Sequence, residues 1–220
     1  MFKYITGNTD LLVSNISDKT VLVLGSGPSA GEIDWKQYDW DVLVTTSFFY
    51  LNSDVISAKP VHVTLSDIVD LTDYRLLNYL DDNKNCTISF EPKLHPFYES
   101  DSFNQFIDKY RSRIVLYNID GGKEGVAGRV CWLVLSCIPK SLYICGIDGV
   151  SKDRNNDPQN YFRKHRGTAD VYTYNDYYHS FQNFGTALYQ MGQQMNIPIK
   201  NLGKGKPYNM ITNLSEQYEV

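Results

Sequence analysis

Short runs of consecutive apolar and β-branched residues recur along the chain, and several end in small or polar residues. Apolar runs of this length, without polar alternation, are typical of strands buried on both faces of a parallel sheet. The pattern predicts strands at residues 20–24, 41–46, 60–65, 86–90, 113–117, 141–145 and 197–202. Pro198 predicts an edge position for the last strand, because proline has no N–H to donate to an inner neighbour.

Between these strands, apolar residues recur at helical intervals. Leucines in 74–80 predict one helix, and the apolar segment 128–138, which Pro139 ends, predicts a second. A third helix, amphipathic, is predicted from Phe181, Phe184, Leu188, Met191 and Met195. Buried strands that alternate with helices predict the α/β class: one Rossmann-like domain over residues 1–220, with a mostly parallel sheet and helices on both faces.

The segment 151–178 has no hydrophobic period, is basic in its middle and is rich in tyrosine. Structureless loops of this length are uncommon inside compact domains unless they have a function. We therefore predict a lid-like loop, inserted before the last long helix.

Composition narrows the choice of partners and compartment. The 220 residues include 21 Lys+Arg and 25 Asp+Glu, a net charge of -4, which argues against nucleic acid and anionic membranes. No run of 18 apolar residues occurs, and residues 1–8 lack the apolar core of a signal peptide. Four cysteines without a CxxC pair are typical of buried thiols in a reducing compartment. We expect a cytoplasmic protein without a transmembrane segment; a homo-oligomer is compatible with the sequence.

Polar residues follow three of the predicted strands, where ligands of parallel sheets bind. They are Gly25-Ser26-Gly27-Pro28-Ser29, Thr45-Thr46-Ser47 and Gly146-Ile147-Asp148-Gly149. In the first, the two glycines allow close backbone approach, and free N–H groups with the Ser29 hydroxyl could hold a phosphate. The turn matches neither the dinucleotide fingerprint nor the P-loop. A plain strand-to-helix turn is the alternative.

His179 and a basic cluster are further candidates. His179 is expected at the N-terminus of the last helix, where the dipole disfavours the charged form and leaves a neutral imidazole as general base. An exposed or capping histidine is the alternative. Arg163 and Lys164, beside His165, could hold a diphosphate or an acidic sugar, or form a solvated surface. His62 is expected in the core or at a sheet edge.

As a set, these motifs resemble the bacterial sialyltransferases of glycosyltransferase family 42 and a broader group of 6-hydroxymethylpterin diphosphokinase-like, DUF115-type proteins. The resemblance is carried by Gly25–Ser29 with Glu32-Ile33-Asp34, by Asp41-Val42 through Phe48, by Gly146-Ile147-Asp148, and by His179 eight positions before Ala187-Leu188. It extends over roughly residues 20 to 202 as a series of short motifs.

The resemblance implies a role for each matching residue. Gly25–Ser29 would hold the phosphate and sugar of a cytidine nucleotide, Thr46 stands where the family has an Asn, and His179 would deprotonate the acceptor hydroxyl. Ser26 replaces the usual Asn of the turn. The two tyrosines that assist departure of the phosphate have no clear equivalents, since Val150 and Asn156 fall near their positions. Candidates to replace them are Tyr161, Arg163 or Lys164.

Three functions follow as hypotheses. The first is a metal-independent glycosyltransferase that takes a nucleotide-activated sugar, with a CMP-sugar as a candidate donor and a glycan acceptor, and that holds no tightly bound cofactor. The second is a pterin diphosphokinase-like enzyme that needs ATP and Mg²⁺, with Asp148 and Asp67 as possible ligands. The third is a non-catalytic nucleotide- or glycan-binding module. Fold analogy alone does not separate them.

Overall fold

A computed structural model of the protein describes residues 2–66, 68–91, 100–119, 125–148 and 171–203. For residues 2–5, 119 and 171–182 the description covers the backbone alone. Within these ranges an eight-stranded sheet has the order β1-β6-β5-β4-β3-β2-β7-β8. The strands are β1 (Phe2–Gly7), β2 (Thr20–Leu24), β3 (Val42–Thr46), β4 (His62–Thr64), β5 (Thr87–Phe90), β6 (Ile114–Ile119), β7 (Ser141–Cys145) and β8 (Ile199–Asn201).

Seven helices accompany the described part of the sheet. They are α1 (Thr9–Ile16), α2 (Ser29–Glu32), α3 (Ser53–Ser57), α4 (Tyr74–Asp82), α5 (Asp101–Tyr110), α6 (Gly125–Ser136) and α7 (Val171–Gln194). Short 3₁₀ turns cover Trp35–Gln37, Phe49–Leu51 and Arg111–Arg113. The β1 strand is antiparallel to β6, and each of the other paired strands is parallel to its neighbours.

Two apolar clusters, one on each face of the sheet, form the core. One face packs against α1, α6 and α7. Between α6 and α7, the rings of Trp132 and Phe184 contact each other edge to face, with their centroids 5.6 Å apart. The opposite face packs against α2 to α5 through buried aromatic residues such as Phe49 and Tyr79. Successive residues of β2 alternate between the two clusters, since side chains along a strand point to opposite faces. The structure confirms the α/β class, the mostly parallel sheet and helices on both faces.

Each of the seven predicted strands is present, but other elements were not predicted. These are β1, α1, α3 and α5. The four cysteines are buried and unpaired, as predicted from their apolar surroundings. The prediction that residues 171–178 belong to a loop was wrong, because α7 already begins at Val171. Residues 151–170, the rest of the predicted lid-like loop, lie outside the described residues.

A polar cluster is buried within the sheet on β4 and β5. His62 Nδ1 lies 2.7 Å from Thr87 Oγ1, and its Nε2 lies 3.0 Å from Ser89 Oγ and 3.2 Å from Thr64 Oγ1. All four residues are completely buried. Burial lowers the pKa of His62 to about 3, because the charged imidazolium cannot be solvated there. His62 is therefore a neutral core residue.

The free energy of unfolding should fall as the pH is lowered from about 6.5 toward 3, because unfolded His62 takes up a proton that the folded protein excludes. Within that window, protonation of His62 in the unfolded state lowers the free energy of unfolding by ~1.4 kcal/mol for each pH unit. Urea unfolding of the wild type and His62→Gln at several pH values measures it. The free energy of unfolding of His62→Gln should depend less steeply on pH than that of the wild type. Equal slopes would contradict the conclusion that folded His62 stays neutral.

The C-terminus of α6 is strained at Ile138. This residue has φ 54°, and its side chain is 60% exposed. Its N–H donates to the Leu135 carbonyl, and its own carbonyl accepts from the Asp18 N–H, so the turn is fixed at both ends. A β-branched residue in left-handed backbone is unfavourable, and glycine is the usual residue at such a helix end.

Ile138→Gly should raise the free energy of unfolding by about 1 kcal/mol, since it removes the left-handed strain and loses little buried area. The matched control is Ile138→Ala, which removes the same exposed side chain but keeps the Cβ, and it should give no such gain. Urea unfolding of both variants measures the difference. A gain of equal size in Ile138→Ala would show that exposure, and not backbone strain, is the cause.

Candidate functional site

The strand order changes direction between β2 and β7. From β2 the chain proceeds through β3, β4 and β5 to β6 on one side, and then returns to β7 on the other side. The crevice outside the carboxyl ends of two such strands is where ligands bind in open α/β sheets. The segments Gly25–Ser29 and Gly146–Asp148 follow β2 and β7, so two of the three predicted strand ends meet at this point.

The two turns touch through their backbones. The Gly25 N–H donates to the Cys145 carbonyl and the Gly27 N–H to the Gly146 carbonyl, both at 2.8 Å. A Cβ on Gly27 would lie 2.7 Å from the Gly146 oxygen, and a Cβ on Gly25 would collide with the same oxygen. Gly146 has φ +70°. The close approach predicted from the glycines is therefore an approach of the two turns to each other.

Ser29 and Asp148 join the turns through side chains. The Ser29 N–H donates to Asp148 Oδ2 at 2.7 Å, and the Ser29 hydroxyl donates to Asp148 Oδ1. The same hydroxyl accepts from the Gly146 N–H at 3.0 Å. Ser29 is fully buried and Asp148 is 3% exposed. The N–H and O–H donors of Ser29 thus serve the fold, as do the N–H groups of Gly25 and Gly27, and a ligand contact by these residues stays a prediction.

Burial raises the pKa of the Asp148 carboxyl above its usual range, and the two hydrogen bonds from Ser29 act in the opposite direction. The neighbouring Cys145 thiol donates to the Ser29 carbonyl across 3.8 Å, and burial raises its pKa to about 12. Cys145 is therefore an unreactive thiol. Both oxygens of Asp148 accept from Ser29, which makes this carboxylate a poor candidate for the Mg²⁺ ligand of the kinase hypothesis. Asp67, the other candidate ligand, lies outside the described residues.

The end of β3 lies beside the end of β2. Thr45 Oγ1 donates to the Leu24 carbonyl at 2.9 Å, and Thr46 is buried next to it. Ser47 is half-buried with φ 41°, its N–H donates to the Thr64 carbonyl, and its hydroxyl donates to Ser66 Oγ at 2.9 Å. Left-handed backbone at a residue other than glycine is costly, and such strain clusters at functional sites. The structure thus brings Thr46 and Ser47 to the same edge as Gly25–Ser29.

His179 lies inside α7 and not at its N-terminus. It is the ninth residue of a helix that begins at Val171, so the predicted effect of the helix dipole does not apply, because that effect is limited to the first turn. A helix of 24 residues is about 36 Å long, whereas the five residues of β7 extend about 17 Å. The part of α7 near Phe184 and Leu188 packs on the sheet. The preceding turns, with His179, therefore lie toward the carboxyl edge.

Several predicted residues lie outside the described residues. They are Gly149, Val150, Asn156, Tyr161, Arg163, Lys164 and His165. Within the described ranges, no group of three or more His, Cys, Asp or Glu residues could hold a metal ion. None of the described helices is long and apolar enough to cross a bilayer.

Two charged residues at the same edge were not singled out in the sequence. Glu91 directly follows the last residue of β5, and Arg129 is the fifth residue of α6. Their side chains form an ion pair of 2.6 Å, Arg129 NH1 to Glu91 Oε2. A charged residue immediately after a buried strand was the available signal for Glu91, whereas nothing local marks Arg129.

The same fold occurs in two sialyltransferases of Campylobacter jejuni. The monofunctional alpha-2,3-sialyltransferase Cst-I matches with a TM-score of 0.56 and 18% identity, over 88% of this chain and 82% of that chain. The sialyltransferase CstII, in complex with the substrate analogue CMP-3FNeuAc, matches with a TM-score of 0.52 and 16% identity, over 89% of this chain and 83% of that chain. No protein-family model matches the chain, and no curated protein matches its sequence. The fold implied by the sialyltransferase resemblance is therefore confirmed, while the pterin diphosphokinase and DUF115 resemblances stay predictions.

Gly146→Ala should lower the free energy of unfolding more than Gly125→Ala. The two glycines have similar φ values of +70° and +67°, but a Cβ on Gly146 would collide with Gly25 O and lie 2.9 Å from Ala30 Cβ. Among the described residues, a Cβ on Gly125 would meet nothing within 4 Å. The difference should be about 1–3 kcal/mol, the usual cost of overpacking. Urea unfolding of both variants measures it, and equal losses would mean that φ alone requires glycine.

Proposed function

We propose that the protein is a glycosyltransferase that transfers a sugar from a nucleotide-activated donor, with a CMP-sugar as the first candidate, to the hydroxyl of a glycan acceptor. The observation that carries the proposal is the β2/β7 switch point, with polar residues at the ends of both strands, in a fold shared over most of the chain with two sialyltransferases. One of those structures holds a CMP-sugar analogue. The proposal includes catalysis without a metal ion.

In the proposed reaction, the acceptor oxygen attacks the anomeric carbon of the donor as the bond from that carbon to the phosphate oxygen breaks. His179 takes the proton of the acceptor hydroxyl, and the nucleotide leaves with the electron pair of the broken bond. Thr46, Ser47 and the edge formed by Gly25–Ser29 and Gly146–Asp148 would bound the nucleotide. Arg163 and Lys164 would neutralise the departing phosphate with their positive charges. They would take the place of the two tyrosines of the sialyltransferase family, which have no clear equivalents in this chain.

The hydrogen bonds between Ser29 and Asp148 support these assigned roles. These bonds are internal, so the pair would shape this edge of the sheet while other residues contact the nucleotide. Because the carboxylate of Asp148 is already engaged, the proposal gives it a positioning role. Neither turn would then need to move when a donor binds.

His179→Ala should leave nucleotide binding intact and lower turnover by about 10²–10⁴-fold, the usual contribution of a general base. Binding is read from a thermal-shift panel of CMP, UDP, GDP, ATP and ADP, each with and without Mg²⁺. A nucleotide at 100 times its Kd should stabilise the fold by about 2.7 kcal/mol. Turnover is read as release of nucleotide from the corresponding nucleotide-sugar.

The matched control is Gln193→Ala, an exposed residue near the other end of the same helix, which should change neither reading. Stabilisation by CMP without Mg²⁺ is the result expected. Undiminished turnover in His179→Ala would exclude this histidine as the base. Stabilisation by ATP alone, and only with Mg²⁺, would favour the kinase, and no stabilisation by any of the five would contradict nucleotide binding.

A further inference from the structure

The end of β8 lies against the contact between the turns that follow β2 and β7. Gly203, the second residue after β8, is buried, and a Cβ on it would lie 2.5 Å from Ser29 Oγ and 3.1 Å from Asp148 Oδ1. The Leu202 N–H donates to the Ile144 carbonyl at 2.8 Å, which extends the pairing of β8 with β7 to this point. The carboxyl ends of β2, β7 and β8 therefore meet around one carboxylate.

Gly203 and Gly27 border different oxygens of the Asp148 carboxylate. A Cβ on Gly27 would lie 2.6 Å from Oδ2, and a Cβ on Gly203 would lie 3.1 Å from Oδ1. Gly27 and its neighbours Ser26 and Pro28 are half-buried, so solvent and a ligand can reach this part of the β2 turn. The accessible part of the turn and the end of β8 are thus both next to the same carboxylate group.

A nucleotide phosphate beside this turn would need positive charge. The described arginines at this edge of the sheet are Arg75, at the start of α4, and Arg129, in α6. Arg75 is ion-paired with Asp73 and Arg129 with Glu91, each at 2.6 Å. Because the charges of both arginines are compensated by these carboxylates, the phosphate would need another cation.

The sequence directly after Gly203 is basic. It reads Lys204-Gly205-Lys206-Pro207 and lies outside the described residues. Consecutive Cα atoms are about 3.8 Å apart, and three extended residues span at most about 11 Å. The covalent connection to Gly203 therefore keeps both lysines near the accessible part of the β2 turn, and each carries its amino group on a long flexible chain. Gly205 adds no side chain that would hinder close approach to a ligand.

We infer that Lys204 and Lys206 bind the nucleotide phosphate beside Ser26–Pro28 and stabilise it as it departs. The inference rests on the proposed glycosyltransferase function, to which it adds a source of charge besides Arg163 and Lys164. When the bond from the anomeric carbon to the phosphate oxygen breaks, its electron pair stays on that oxygen, so the phosphate gains negative charge. Ammonium groups at this place therefore stabilise the departing phosphate more than the bound donor.

The test compares CMP with cytidine, which lacks the phosphate, by isothermal titration calorimetry on the full chain. Lys204→Gln and Lys206→Gln should each raise the Kd of CMP about tenfold, because each removes a charge-assisted contact with the phosphate. The Kd of cytidine should not change. Lys204→Arg and Lys206→Arg keep the positive charge and should bind CMP about as tightly as the wild type.

The matched control is Lys200→Gln, which removes the same charge from an exposed position within β8 and should change neither Kd. Circular dichroism and the thermal midpoint check that each variant is folded. An unchanged Kd of CMP in both folded glutamine variants, or an equal rise in Lys200→Gln, would overturn the inference. An equal rise in the Kd of cytidine would do so too, since it would mean that the phosphate is not what the lysines bind.

Failure of the inference is distinguishable from failure of the proposed function. If the wild type binds neither CMP nor cytidine, the proposed function is contradicted, and the inference with it. If the wild type binds CMP and the glutamine variants bind it equally well, the proposed function stands and only the role of the two lysines is wrong.

Discussion

The architecture of this protein depends on the contact between the turns that follow β2 and β7. Ser29 donates two hydrogen bonds to a buried Asp148 carboxylate and accepts one from Gly146, while Gly25 and Gly27 allow the backbones to approach. A buried carboxylate is tolerated only when it is well hydrogen-bonded, so neither partner can be altered alone without cost. This contact fixes two neighbouring strand ends at the point where the sheet reverses its order, which is where ligands bind in open α/β sheets.

The chemistry of the rim follows from that arrangement. Near β2 and β7 the polar groups are largely engaged with one another, which gives a rigid edge formed mostly by backbone. Farther along the same edge, the Nε of Arg129 on α6 has no hydrogen-bond partner among the described residues. His179, on the part of α7 that lies toward this edge, belongs to the same side of the molecule.

The sequence predicted the sheet well because its parallel strands are buried on both faces and appear as continuous apolar runs. It did not predict β1, whose place depends on pairing with a strand far along the chain. The start of α7 was placed too late, since Val171 to Tyr178 lack an apolar period and their helix is visible only in three dimensions. For the site, the glycine turns were found, but the partner of Ser29 was not. Asp148 is 119 positions away, and no local pattern indicates that its carboxylate faces inward to Ser29.

The antiparallel pairing of β1 with β6 also governs the order in which the sheet can assemble. During synthesis β1 leaves the ribosome about a hundred residues before its partner. At about 5–20 residues per second, it waits roughly 5–20 s without a strand to pair with. The parallel strands β2 to β5 are complete during that interval and can begin to associate. The first strand of the chain is thus a late addition to the fold, and the nascent protein carries an unpaired strand that chaperones or neighbouring chains can capture.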